Sequence, residues 1–219
     1  MKQNNTTQPV SAEESFAQKI EKIAQGLVGR LGVAAQELSS GLHVSINGDE
    51  TFCMASAYKV AIASKVMDLV DKGELSLDQM VEIHHDMYVA GEVAIAEIFT
   101  YSGVQFSLAN VIYPMITESD NTATDACLRL VGGPAAVTEN LRRIGIKDFR
   151  VVRSVREILM DFYSLPSVTA EAVVEAISKN PALVTAQVDP NPDFEADPRD
   201  HTTPNAYLKL LLAIDGGTA

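Results

Sequence analysis

The chain has 219 residues, long enough for one compact domain with a sizeable core or for two lobes around a cleft. Hydrophobic residues make up 47% and charged residues 21%, and the formal net charge is −12. That balance argues against a nucleic-acid partner, which needs clustered Lys and Arg, and offers no basic patch to an anionic membrane.

In chain order, residues 1–11 read as a polar, disordered leader without the apolar core of an export signal. As given, the chain is therefore expected to be cytoplasmic. No stretch approaches the roughly 18 apolar residues of a membrane span. Residues 15–31 carry Phe16, Ile20, Ile23 and Leu27 at helical spacing. GVAAQEL (32–38) and HVSING (43–48) predict a β-hairpin. Residues 57–73 form a strongly helical run that ends on Lys72-Gly73. Residues 75–113 read as mixed, mostly helical and looping. A helix over 121–131 ends at Gly132-Gly133, and Pro134 opens the next, to about Ile144. Residues 171–179 predict a helix within a long excursion. DPNPDFEADPRD (189–200) is a Pro- and Asp-rich loop, and Pro204 starts a last helix through Leu212.

Two short motifs could carry chemistry. Ser56-Ala57-Tyr58-Lys59 opens a helix, so the Ser hydroxyl and the Lys amine share a face one turn apart, as a nucleophile and its proton acceptor require. The helix N-terminus adds N–H groups and a positive dipole end for developing negative charge. By itself an S-x-x-K recurs about once by chance in a chain this long, and its bland reading is a helix cap followed by a solvated Lys. Ser119-Asp120-Asn121 also precedes a helix, so its bland reading is an N-cap. Functionally, Ser119 could relay a proton and Asn121 could hold a substrate amide. The four histidines give no Ser-His-Asp arrangement, and Cys53 and Cys127 lack zinc-ligand spacing, so two free thiols are expected.

S-x-x-K followed by S-D-N belongs to the motif set of class A β-lactamases and penicillin-binding proteins. FCMASAYKVAIASKV (52–66) resembles that family's nucleophile segment. Residues 119–145 resemble its next two helices, and DPRDHTTP (197–204) the end of its Ω-loop. The resemblance covers roughly 15–215. It implies an α/β (α+β) two-lobed fold, a helical lobe beside an antiparallel sheet, spanning 12–219 with an enlarged Ω-loop region at about 150–200. It also implies a serine hydrolase that opens β-lactam rings through an acyl-enzyme on Ser56. In that scheme Lys59 takes the proton, Ser119 passes it toward the lactam nitrogen, and Asn121 contacts the substrate side-chain amide. The Ser56 N–H would supply half of the oxyanion hole. No metal or organic cofactor is needed, the substrate is a β-lactam or peptidoglycan-like molecule, and the family's location is periplasmic or secreted.

Three departures stand against the family pattern. The deacylating Glu is expected in an E-x-x-L-N-like stretch, with an Arg two residues before it. Glu157-Ile158-Leu159-Met160-Asp161 is the nearest candidate, but Val155 stands where the Arg should be. If Arg153 is instead the Arg that pairs with Asp200 to tie the Ω-loop, Val155 takes the Glu position and Glu157 misses it. About thirty extra residues separate Asp161 from Asp197, a length that carries its own structure or a function. Finally, no K-T-G or K-S-G follows Ser119. Three of the sheet's five strands would then lie beyond Ala219, and losing an oxyanion donor with them costs about a hundred- to a thousandfold in rate. A poorly stable, nearly inactive fragment is one expectation. A penicillin-binding D,D-peptidase or esterase relative with slow deacylation is another, and a non-catalytic partner-binding fragment a third.

Overall fold

The computed structural model describes residues 12–89, 95–101, 103–184 and 191–219. The leader expected at 1–11 lies outside these residues, as do positions 189–190 of the Pro/Asp loop. Helix α1 (Ala12–Ala24) is shorter than the 15–31 pattern suggested. The hairpin forms as expected, with β1 (Val33–Gln36) antiparallel to β2 (His43–Ile46) and Val33 facing Ile46. Strand β3 (Phe52–Cys53) leads through a 3₁₀ turn (Ala55–Tyr58) into α2 (Lys59–Asp71).

The stretch 75–113, read as mostly helical, contains a second antiparallel pair: β4 (Met80–Ile83), then α3 (Ile95–Ile98), β5 (Val104–Ser107) and α4 (Leu108–Thr117). Strand β4 alternates exposed Met80 and Glu82 with buried Val81 and Ile83, the period-two pattern of a half-buried strand. Helices α5 (Asn121–Leu130) and α6 (Pro134–Arg143) follow. Gly132 and Gly133 between them both take positive φ, 94° and 87°, a turn that side chains with a Cβ resist. Then come α7 (Val155–Tyr163), α8 (Ala170–Lys179), α9 (Pro192–Ala196), β6 (His201–Thr202) and α10 (Pro204–Asp215).

Local chemistry explains most helix starts. Asp120, Thr169 and Thr203 cap α5, α8 and α10 by accepting from Ala123, Ala172 and Ala206 N–H. Ser154 and Glu157 form a reciprocal capping box on α7. The main core joins α2, α4, α5 and α6, with Ile62, Val66, Leu108, Val111, Met115, Cys127, Val137 and Leu141 buried. Cys127 is therefore inert packing, its thiol pushed up to about 12 by burial, while Cys53 is half-buried; both are free thiols.

Strand β6 pairs antiparallel with β3, Phe52 opposite Thr202 and Cys53 opposite His201. Helix α1 packs on β2 and α10 on β1. Gly32 is needed there, because a Cβ would lie 2.4 Å from the Phe52 ring and 2.8 Å from Pro204. Among the described residues the sheet is thus three separate two-stranded pairs, β1–β2, β3–β6 and β4–β5. The β3–β6 pair matters most for the site, since it carries the end of the Asp-rich excursion up to the residues just before Ser56.

Candidate active site

Ser56 sits exposed in the 3₁₀ turn, directly after Ala55, whose φ of +42° is a conformation few residues with a Cβ adopt. Ser119 repeats the feature with φ +58°. Left-handed non-glycine residues cost about 1–3 kcal/mol and concentrate where a side chain must be aimed. The turn is anchored from two sides. Met54 N–H donates to the Asp200 carbonyl at 3.1 Å, and the Tyr207 hydroxyl donates to the Ala57 carbonyl at 3.1 Å. Tyr207 in turn stacks on buried Phe149, with ring centroids 5.8 Å apart.

One turn further on, Lys59 is 3% exposed. Its Nζ donates to Ser119 Oγ at 2.9 Å, to Asn121 Oδ1 at 2.9 Å and to the Ser119 carbonyl. Those three bonds use all three donors of an ammonium. The ammonium must therefore release one proton before its nitrogen can accept another. Burial favours that release: it pulls Lys59 from its ordinary value of 10.5 down to about 8, against the opposing charges of Asp120 and Asp125. The structure thus joins Lys59, Ser119 and Asn121 in one cluster, with Ser56 three residues before Lys59 in the turn that leads into α2. The capping reading of the S-D-N motif holds as well, on its middle residue. Asp120 is fully buried, caps α5 through Ala123 N–H at 2.7 Å, and accepts from Ile95 N–H at 2.9 Å.

Glu157 stands differently. It is exposed, and its Oε2 accepts from Ser154 N–H at 2.8 Å and from Ser154 Oγ at 2.9 Å. Its carboxylate is committed to capping α7. Arg153 takes the tying role: its Nε donates to Asp200 at 2.6 Å, and its Nη1 reaches Asp161 at 2.7 Å and Asp197 at 3.1 Å. Asp200 also accepts from Val152 and Arg153 backbone N–H at 2.7 and 3.1 Å. With Arg153 in that place, the residue two positions on is Val155, buried, rather than Glu157.

A carboxylate that sequence reasoning passed over, Asp125, lies one turn along α5 from Asn121 on the same face. Its two oxygens accept the first N–H groups of α7, from Val155 at 2.7 Å and Arg156 at 3.1 Å. Burial pushes its carboxyl up to about 6, partly offset by the Arg156 and Val155 N–H groups. Tyr58, between Ser56 and Lys59, is 1% exposed, and its hydroxyl has no hydrogen-bond partner among the described residues. No group of three metal-ligating side chains occurs among the described residues.

A family model described as the β-lactamase enzyme family matches residues 15–219. The chain belongs to this family. It is 32% identical over 200 residues to a β-lactamase of Proteus vulgaris, covering 91% of this chain and 54% of that one. It is 30% identical over 147 residues to the β-lactamase PSE-4 of Pseudomonas aeruginosa, covering 64% of this chain and 48% of the relative. A crystal structure of a β-lactamase from Xanthomonas campestris superposes with a TM-score of 0.69 at 26% identity, covering 94% of this chain and 63% of that one. An ancestral class A β-lactamase superposes at 0.67 and 28% identity, covering 90% and 62%. The class A β-lactamase fold is therefore that of this chain, which spans about half the length of these curated relatives.

Proposed function

We propose that this protein is a serine hydrolase that opens β-lactam rings through an acyl-enzyme on Ser56. The observation that carries the reading is the buried Lys59 amine, held by Ser119 and Asn121 one helical turn from an exposed Ser56. In this scheme neutral Lys59 takes the Ser56 proton as Oγ attacks the lactam carbonyl. The C–N bond then breaks, and the proton passes through Ser119 to the leaving nitrogen. Asn121 contacts the substrate amide. Water completes the cycle by attacking the ester, which releases the acid and restores Ser56. Glu157 is the candidate base for that water, and to act it must give up its two bonds to Ser154. By family likeness the protein works in the periplasm or outside the cell; no helix among the described residues is long and apolar enough to cross a membrane.

One observation favours a second reading. With Glu157 engaged in the capping box and Val155 two residues after Arg153, the acyl-enzyme persists, as in a penicillin-binding relative acting on peptidoglycan-like substrates. Intact mass followed over time after mixing with a reporter penicillin, with Ser56→Ala as control, separates the two. A transient adduct with accumulating product supports hydrolysis, and a lasting adduct supports the second reading. A folded chain that forms no adduct overturns both.

A further inference from the structure

The turn that presents Ser56 is closed on itself and held at both ends from outside. Within it the Ala57 N–H donates to the Met54 carbonyl at 2.9 Å, which wraps the chain around Ala55 and Ser56. The outward groups of the same two residues have other partners. The Met54 N–H donates to the Asp200 carbonyl, and the Ala57 carbonyl accepts from the Tyr207 hydroxyl, each at 3.1 Å. Both holders lie in one short stretch that is itself well fixed. Arg153 binds Asp200, β6 pairs with β3, Thr203 caps α10, and the Tyr207 N–H donates to the Thr203 carbonyl at 2.9 Å.

The two holders differ in kind. The Asp200 bond is backbone to backbone. The Tyr207 bond is made by one hydroxyl, at the end of a ring that stacks on Phe149 with 18° between the two planes. A cavity of about 380 Å³ lies alongside, lined in part by Cys53, Met54, Ala57 and Tyr207. Packing on that side of the turn is thus open, and the hydroxyl is the group that grips the backbone. Ala55 inside the turn sits at φ +42°, and a left-handed alanine persists only where its surroundings hold it.

We propose that Tyr207 is a positioning residue for acylation: its hydroxyl, by holding the Ala57 carbonyl, keeps the strained turn in the shape that aims Ser56. This rests on the reading of Ser56 as the nucleophile. In that reading Ser56 Oγ must meet a carbonyl carbon while the Ser56 N–H faces the oxygen on which charge develops. Both groups lie between the two held ends of the turn. Releasing one end lets Ala55 relax and takes both groups out of alignment. Substrate contact through Asn121 of α5 does not pass through Tyr207, so the loss falls on the acylation step and not on binding.

The test is Tyr207→Phe, which keeps the ring and its stack on Phe149 and deletes only the hydroxyl. Tyr113→Phe, at an exposed ring of α4, is the control and should change nothing. With a cooperative melt confirmed for each protein, intact mass follows the Ser56 adduct over a series of reporter-penicillin concentrations. The series yields a limiting acylation rate and a half-saturating concentration. Amide hydrogen exchange at Ala57 is measured alongside, without penicillin. The expected result for Tyr207→Phe is a limiting rate about three- to tenfold lower, the worth of one neutral hydrogen bond, with the half-saturating concentration unchanged. Exchange at Ala57 should be faster, because its bond to Met54 opens more often. A hydroxyl that only stabilised the fold would lower the melting temperature and leave the limiting rate of the folded protein alone. An unchanged limiting rate in folded Tyr207→Phe overturns the inference, as does unchanged exchange at Ala57 or an effect confined to the half-saturating concentration. If the wild type itself forms no Ser56 adduct, the nucleophile reading fails first and takes this inference with it; equal rates in the two proteins overturn the inference alone.

Discussion

Replacing Arg153 by Met removes the cation that three carboxylates share while keeping an apolar stem of similar length. The three acids do not lose equally. Asp161 is 45% exposed at its side chain, so water can solvate it, and both Asp161 and Asp197 keep Arg199 at 2.9 and 2.5 Å. Asp200 is 4% exposed and Arg153 is its one ion-pair partner among those described, so its charge is left buried. Breaking a buried pair from one side costs about 3–5 kcal/mol. Asp200 retains two backbone N–H bonds, which places the expected loss near the low end, about 3 kcal/mol. The Arg153 guanidinium also lies 5.6 Å from the Phe194 ring, and losing that contact adds roughly 0.5–1 kcal/mol. Urea denaturation at pH 7 measures the loss, about 3.5–4 kcal/mol in all, which corresponds to a fall in melting temperature of roughly 7–16 °C for a chain of this size. Adding Asp200→Asn should recover part of it, since Asn tolerates the left-handed φ of +54° and brings no orphan charge. Arg199→Met, exposed, is the control and should move the midpoint far less. A loss below about 1 kcal/mol in Arg153→Met would refute the argument that the Asp200 pair is desolvated.

Three further outcomes are expected. The rate of Ser56 acylation should rise with pH through about 8 and then level off, as Lys59 becomes neutral, and Lys59→Met should lower it about 10²–10⁴-fold; a pH-independent rate contradicts the assignment. The same residue predicts a stability trend: between about 8 and 10.5 the unfolded chain holds the Lys proton that the folded chain has lost, so stability climbs with pH there, and Lys59→Met should flatten that climb in pH-dependent melts. Glu157→Gln retains an acceptor for the Ser154 N–H, so it should act on acyl-enzyme lifetime rather than on folding: in time-resolved mass spectra a lifetime about 10²-fold longer or more supports a deacylating role, and an unchanged lifetime assigns Glu157 to the cap alone. Tyr58→Phe deletes a buried hydroxyl that lacks a partner, so thermal denaturation should show a neutral change or a gain of up to about 1 kcal/mol, and a clear loss would mean that the hydroxyl is bonded.

How far the sequence disclosed this arrangement depends on where the ordering chemistry is local. The helix starts at Pro134 and Pro204, the cap ahead of Asn121, and the β1–β2 hairpin are written in adjacent residues, so they could be read directly. Strands β3 and β6 are two residues each and meet across nearly 150 positions, so no periodicity betrays them. The β4–β5 pair was missed although Met80–Ile83 does alternate, because its partner strand lies about twenty residues on, behind a short helix. In the site, Ser56, Lys59, Ser119 and Asn121 were legible as two motifs, and the ion pair of Arg153 with Asp200 was legible from the family pattern. Asp125 was not, because an Asp inside a helix reads as a solvated face. Its spacing of four from Asn121 was the available signal. The engagement of Glu157 with Ser154 could have been anticipated, since S-x-x-E is itself a helix-start signature.

The excursion between Asp161 and Asp197 has a consequence for how this molecule can vary. Both of its ends are pinned at one place, where Arg153 and Arg199 each bridge Asp161 to Asp197. Whatever lies between the pins is a closed loop whose closure entropy grows only logarithmically, so doubling its length costs only about 0.6 kcal/mol more. Helix α8 supplies no fully buried residue. Beyond Val168, which is buried in the core, the segment is thus a natural port for insertion and deletion, where chain can be gained or shed across lineages, or a peptide grafted by design, while the register of Ser56 and Lys59 stays fixed by contacts outside it.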